Sequence, residues 1–212
     1  MATTERVMNI FLSIGAQYND EQKAFATAFQ SFLTSNDCMP LTVDDRDPEQ
    51  PIESARKKME TADAAIVVAF TRYIVHKAIE KPGSPEEHPI EDQRYPTIWN
   101  QLEAAMAYGL GLPLFIIVES GLHQEAMLKD RLEYRALVTK LDTNLFKSDT
   151  FNERFKRWKE LVRKAGKRQS AVDISGMTIG HFVSQLRPEQ AWKIGTALFG
   201  VAAAAFWLGK HL

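Results

Sequence analysis

The run Ala64-Ala-Ile-Val-Val-Ala-Phe70 contains no polar residue, and it constrains the fold of this chain more than any other segment. A strand with one wet face alternates apolar and polar residues; an unbroken apolar run this short reads as a strand buried on both faces. Two further runs behave alike, Val7-Met-Asn-Ile-Phe-Leu-Ser-Ile14 and Leu114-Phe-Ile-Ile-Val118. Leu41-Thr-Val43 is a shorter strand, and Ala136 to Leu141 suits the edge of a sheet. Strands of this kind separated by helical segments predict an α/β architecture: a parallel five-stranded sheet between two helical layers.

The helical segments follow from spacing and end signals. Gly15 to Tyr18 reads as a loop, after which Asn19 or Asp20 caps a helix running to about Leu33. Its Phe25, Ala28, Phe29 and Phe32 recur at helical spacing and read as core. Pro51 to Thr61 is a second helix, with proline in the first turn. Residues 76–96 are polar and hold five prolines and glycines (Pro82, Gly83, Pro85, Pro89, Pro96), which predicts a long loop or insertion. Glu125 to Leu132 reads as a helix, and Phe151 to Ala165 as the helix that closes the domain.

Composition narrows the function. A formal net charge of -1 gives no reason to expect nucleic acid. The single Cys38 rules out an intramolecular disulfide, and the five histidines form no i, i+4 pair, so no zinc site is expected. Met-Ala-Thr-Thr-Glu-Arg at the start shows no apolar core of a signal peptide, so the expectation is a cytoplasmic main domain.

Glu103 is the residue with the clearest chemical potential. On a helical wheel with Trp99 at the origin, Leu102, Met106 and Leu110 share its stripe and Glu103 falls at about 40°. A carboxylate beside an indole is partly desolvated, and desolvation raises its pKa. The helix ends at Gly109-Leu-Gly-Leu-Pro113 and a buried strand follows. Ligands of open α/β sheets bind outside the carboxyl ends of strands, where helices begin. Glu103 is therefore either a site wall or a half-solvated boundary glutamate.

The C-terminal third has a different character. Arg154, Lys156, Arg157, Lys159, Arg163, Lys164, Lys167 and Arg168 face only Glu153 and Glu160. Such a run is either a solvated face or a patch for anionic lipid, worth about 1 kcal/mol per basic residue. Ile194 to Gly209 is uncharged and bracketed by Lys193 and Lys210, with Trp192 and Trp207 at its ends. As a helix it covers about 24 Å, short of the roughly 30 Å hydrocarbon core, a gap that snorkelling lysines can close. Thr196, Gly200 and Ala204 form a ridge of small residues that suits self-packing in lipid. The expected organisation is a domain over 1–168, a tether over 169–190 and a hydrophobic, membrane-inserting helix over 191–212; the alternative for the last is a helix buried in a soluble assembly.

The order of these features resembles a TIR domain. The resemblance rests on Ile10-Phe-Leu-Ser13, on Val43-Asp-Asp-Arg46 before a helix, on Ala62-Asp-Ala-Ala-Ile-Val-Val-Ala-Phe70, and on Trp99-x-x-x-Glu103. The stretch Glu103-Ala-Ala-Met-Ala-Tyr-Gly-Leu-Gly-Leu-Pro also resembles nucleoside 2-deoxyribosyltransferases. The resemblance spans about residues 7–165 and implies a flavodoxin-like three-layer sandwich. Both families break an N-glycosidic bond to a ribose, where a carboxylate stabilises an oxocarbenium-like sugar. By that resemblance Glu103 is the catalytic residue, with no metal or cofactor and with NAD as substrate. Ser13, Gly15 and Tyr18 would line the substrate site, Trp99 would form its wall, and Asp44 and Arg46 would contact ribose or phosphate or serve assembly. The acidic loop around Asp44 and the insertion at 76–96 depart from the family pattern and bear on the substrate.

Three functions are compatible with these residues. One is a membrane-tethered, self-assembling NAD glycohydrolase acting in defence or cell death. Another is an enzyme of nucleoside or nucleotide metabolism, or of cyclic-nucleotide signalling, using the same glutamate. The third is a non-catalytic interaction module.

Overall fold

A computed structural model describes residues 6–43, 50–129 and 136–165. All belong to the unit Met1–Arg168. Asp44, Arg46, Lys167 and Arg168, the expected tether and the expected C-terminal helix lie outside the described residues.

The chain order is β1 (Met8–Ile14), α1 (Asp20–Ser35), β2 (Cys38–Leu41), α2 (Pro51–Thr61), β3 (Ala64–Ala69), β4 (Tyr73–Glu80), β5 (His88–Tyr95), α3 (Ile98–Gly109), β6 (Leu114–Glu119), β7 (Leu137–Thr139) and α4 (Asp149–Ala165). Five strands form one sheet in the order β2-β1-β3-β6-β7, and every pairing in it is parallel. With the hairpin β4–β5 set aside, this is the 2-1-3-4-5 order of the flavodoxin-like fold.

The uninterrupted apolar runs are explained by two cores, one on each side of the sheet. On one side Ile10, Leu12, Ile66, Val68, Phe115 and Ile117 pack with Phe25, Phe29 and Leu33 of α1 and Phe151, Phe155, Trp158 and Val162 of α4. On the other, Phe11 and Ala65 meet Ala55 and Met59 of α2 and Ala107 of α3, while Val67, Ile116 and Val118 meet Ala104 of α3. Alternate residues of each strand serve alternate layers. The helical phenylalanines of α1 are core, as their spacing predicts. Asn19 caps α1 by accepting from the Gln22 N–H at 2.8 Å.

Three segments differ from the sequence-based expectation. The second strand lies at Cys38–Leu41 rather than 41–43, because Pro40 is tolerated at the sheet edge, where only β1 pairs with it. The expected loop at 76–96 contains most of an antiparallel hairpin, β4–β5, paired from Tyr73↔Tyr95 to Glu80↔His88. Its strands escape a hydrophobic reading because both of its faces are largely exposed to solvent; Lys77↔Glu91 and the stacked Tyr73–Tyr95 rings, 5.6 Å apart, support it instead. The expected helix at 125–132 is, in its described part, a 3₁₀ turn over Ala126–Leu128. In α4, Lys159 is buried and donates to the Asn36 carbonyl at 2.7 Å, so part of the basic run serves packing rather than a wet face. No helix among the described residues is long and apolar enough to cross a membrane.

Cys38 is buried within the first core, and burial pushes its thiol up to about 11, with Lys159 opposing. Thiol reagents at neutral pH are accordingly expected to label the native protein at least ~100-fold more slowly than a free cysteine, with labelling restored in denaturant. Rapid native labelling would show that α1 and α4 open over this strand.

Candidate functional site

The strand order reverses between β1 and β3: from β1 the chain crosses to β2 on one side, and from β3 to β6 on the other. The carboxyl ends of these two strands define the crevice in which such sheets bind ligands. Ser13 and Val68 lie there, in adjacent rungs of the β1–β3 ladder. The Gly15 N–H donates to the Val68 carbonyl at 3.3 Å and closes the turn out of β1. Ser13 follows Phe11 by two residues and so shares its face, the one covered by α2 and α3.

Helix α3 starts over this crevice. Thr97 caps it, accepting from the Trp99 N–H at 3.3 Å. Its sheet-facing side is made of Asn100, Ala104 and Ala107, each fully buried. Small residues let the helix sit close to the sheet, and that closeness brings Asn100 onto both strands. Asn100 Nδ2 donates to Ser13 Oγ at 3.1 Å and toward the Val68 carbonyl at 3.4 Å.

Glu103 lies one turn beyond Asn100 on α3 and is partly buried. Burial holds its carboxyl above the ordinary glutamate value, with Ser13 opposing. The helix terminus adds little, since Glu103 is in the second turn and the macrodipole fades within the first. The result is a partly desolvated carboxylate, suited to opposing positive charge on a bound sugar.

The expected site residues divide. Ser13 is hydrogen-bonded to Asn100, one turn before Glu103, and Gly15 borders Asn100: a Cβ on Gly15 would lie 3.7 Å from Asn100 Oδ1, an ordinary contact, so glycine is not sterically required. Trp99 is on the first turn of α3 but 41% exposed, and Leu102 is 39% exposed, while Met106 and Leu110 pack against the core, so the apolar stripe is wet in its first half and covered in its second. Tyr18 is exposed after β1 and is engaged by Arg72, whose Nη1 donates to the phenol oxygen at 2.6 Å and whose guanidinium lies 5.6 Å from the ring centre.

Sequence reasoning missed Asn100, Arg72 and Glu119. Asn100 was detectable as the polar member of a small-residue i, i+4, i+7 series with Ala104 and Ala107. Glu119 ends β6, accepts from the Thr71 N–H at 2.7 Å and Gln22 Nε2 at 3.4 Å, and lies 4.0 Å from Arg94 Nη1. It fastens the loop after β3, α1 and the hairpin together. No protein-family model matches this chain, and no curated protein matches it.

Proposed function

We propose that the protein is a TIR-like NAD glycohydrolase with Glu103 as its catalytic carboxylate. The observation that carries this reading is the partly buried Glu103 carboxylate on the helix that Asn100 fastens to Ser13 at the strand-order reversal, where such a fold binds ligands; the TIR resemblance implicates both Ser13 and Glu103.

In the reaction the C1′–N bond of the nicotinamide riboside half breaks, and its electron pair passes to the ring nitrogen, which leaves neutral. The base is cationic in the substrate, so departure needs no general acid. Positive charge gathers on C1′ and the ring oxygen, where the Glu103 carboxylate lowers its energy. Water then attacks C1′ and releases a proton, yielding ADP-ribose. Tyr18 and Arg72, exposed on the loops after β1 and β3, suit stacking and phosphate contact. The proposal extends to a self-assembling, membrane-associated effector, on the strength of the small-residue ridge and flanking lysines in 193–210.

The test is incubation of full-length protein, on liposomes or in detergent, with NAD, comparing wild type and Glu103→Gln for nicotinamide release. Release by wild type alone supports the reading. Release by both, or by neither, overturns it; a transferred base or a cyclised product from wild type points to the nucleotide-processing alternative. Because only the ionised carboxylate opposes the sugar's charge, kcat/KM is expected to fall as pH drops through the raised Glu103 value. The acid limb therefore lies at higher pH than an ordinary glutamate gives, and a limb at the ordinary value would remove Glu103 from this role.

A further inference from the structure

Arg6, Arg56, Arg94 and Arg157 each face a carboxylate within 4.0 Å, at Asp63, Glu53, Glu119 and Glu153 in turn. Arg72 differs. It is exposed, and among the described residues its guanidinium meets no acid; Nη1 donates to the Tyr18 phenol oxygen at 2.6 Å, and the group lies 5.6 Å from that ring's centre. A guanidinium carries five N–H donors, and a phenol is a neutral acceptor at neutral pH. The bond to Tyr18 therefore holds the group in place while leaving its charge and a fork of donors for an outside anion.

The pair spans the crevice already described. Tyr18 follows the carboxyl end of β1 and Arg72 that of β3, the two strands between which the order reverses. Open sheets of this strand order bind nucleotides at that reversal. The backbone beneath the pair is pinned by buried polar groups. Gln22, 1% exposed, accepts from the Tyr18 N–H at 2.9 Å through Oε1 and donates through Nε2 to the Thr71 carbonyl at 3.1 Å, so one amide holds both loops. The Thr71 N–H donates to Glu119 Oε2 at 2.7 Å, and the Arg72 N–H to the Tyr95 carbonyl at 2.8 Å. An anion arriving at Arg72 meets a group already placed, and little ordering entropy is lost on binding it.

We propose that Arg72 is the specificity-determining residue of this crevice: its guanidinium takes a phosphate of the ligand, so that phosphorylated nucleotides are selected over bare nucleosides. This selectivity rests on the reading of the crevice as a nucleotide site and sharpens it, since NAD carries the phosphates that a nicotinamide riboside lacks.

ADP and adenosine differ only in the diphosphate, and their binding tests the assignment with no bond cleaved. Full-length protein in detergent, labelled with nitrogen-15 in its arginine side chains, is titrated with each by NMR, the Arg72 Nε signal being the one lost in Arg72→Gln. Calorimetry gives the affinities in wild type and variants. ADP is expected to move the Arg72 signal and to bind about 10- to 100-fold more tightly than adenosine, the range of hydrogen bonds to a charged group. In Arg72→Gln, ADP should fall to the adenosine level with adenosine unchanged; Arg72→Lys, which keeps the charge and loses the fork, should retain part of the preference. Inorganic pyrophosphate should bind more weakly than ADP. Equal binding of ADP and adenosine to wild type, no binding of ADP, a preference that survives Arg72→Gln, or pyrophosphate binding as tightly as ADP overturns the proposal. A protein that prefers ADP through Arg72 but leaves NAD intact sinks the glycosidase reading alone, and one that cleaves NAD without that preference sinks this one alone.

Discussion

Glu103→Gln is expected to lower kcat for nicotinamide release by about 10²–10³-fold or more, equivalent to roughly 3–4 kcal/mol of lost transition-state stabilisation. Glutamine keeps the shape of the side chain, but it has no charge to set against the sugar. The loss should appear in kcat with little change in KM, since the opposed charge exists only as the bond breaks. Folding should not suffer. A carboxyl whose value is raised in the fold contributes stability below the unfolded glutamate value and loses it as pH rises through the folded one. At neutral pH the variant is thus expected to be as stable as wild type or more so, and the two converge in acid. Thermal unfolding across pH separates this result from a trivial loss of structure.

The largest expected loss of stability is elsewhere. Phe151 is 2% exposed at the start of α4, and its ring lies 5.2 Å from Phe32, 5.4 Å from Phe146, and 6.1 Å from both Phe115 and Phe155. Two helices, the 3₁₀ turn Thr143–Lys147 and the strand β6 meet on that one ring. Phe151→Ala leaves a cavity in a rigid aromatic cluster and is expected to cost about 3–5 kcal/mol, lowering the melting temperature by roughly 6–20 °C. Leu161→Ala, on the same helix but 58% exposed, should change stability by less than about 0.5 kcal/mol. Circular dichroism melts of the two variants test whether α4 is held by this cluster; equal small losses would show that it is not.

What could be read from the sequence divides along physical lines. The strands β1, β3 and β6 were legible because both their faces are buried, which leaves an apolar run, unbroken in β3 and interrupted only by Asn9 and Ser13 in β1. The hairpin was not, because both its faces are largely wet and its support is a backbone ladder plus a few cross-strand pairs, with no apolar pattern to announce it. The case of α3 is subtler. A wheel weighted by side-chain hydrophobicity selects Trp99 and Leu102 as the core face, yet the sheet accepts Asn100, Ala104 and Ala107, since close approach requires small residues. Glu103 and Ser13 were named from sequence, but the Asn100 amide that ties Ser13 and β3 to the helix of Glu103 went unnoticed beside a more conspicuous tryptophan.

The parallel sheet has a kinetic consequence. Each of its rungs links distant parts of the chain: Ile10 pairs with Ala64, and Ala65 with Leu114. No rung can form until a long loop has closed, so ordering of the sheet is governed by loop-closure entropy rather than by local preference. The hairpin β4–β5 is the local antiparallel pairing among the described residues, and hairpins form on the microsecond scale. It lies between β3 and α3 in the chain and shortens the effective span that separates them once it has zipped. The Ser13–Asn100 hydrogen bond joins the first strand to the third described helix, so it too waits on the closing of a long loop. A site held in this way exists only in the finished molecule.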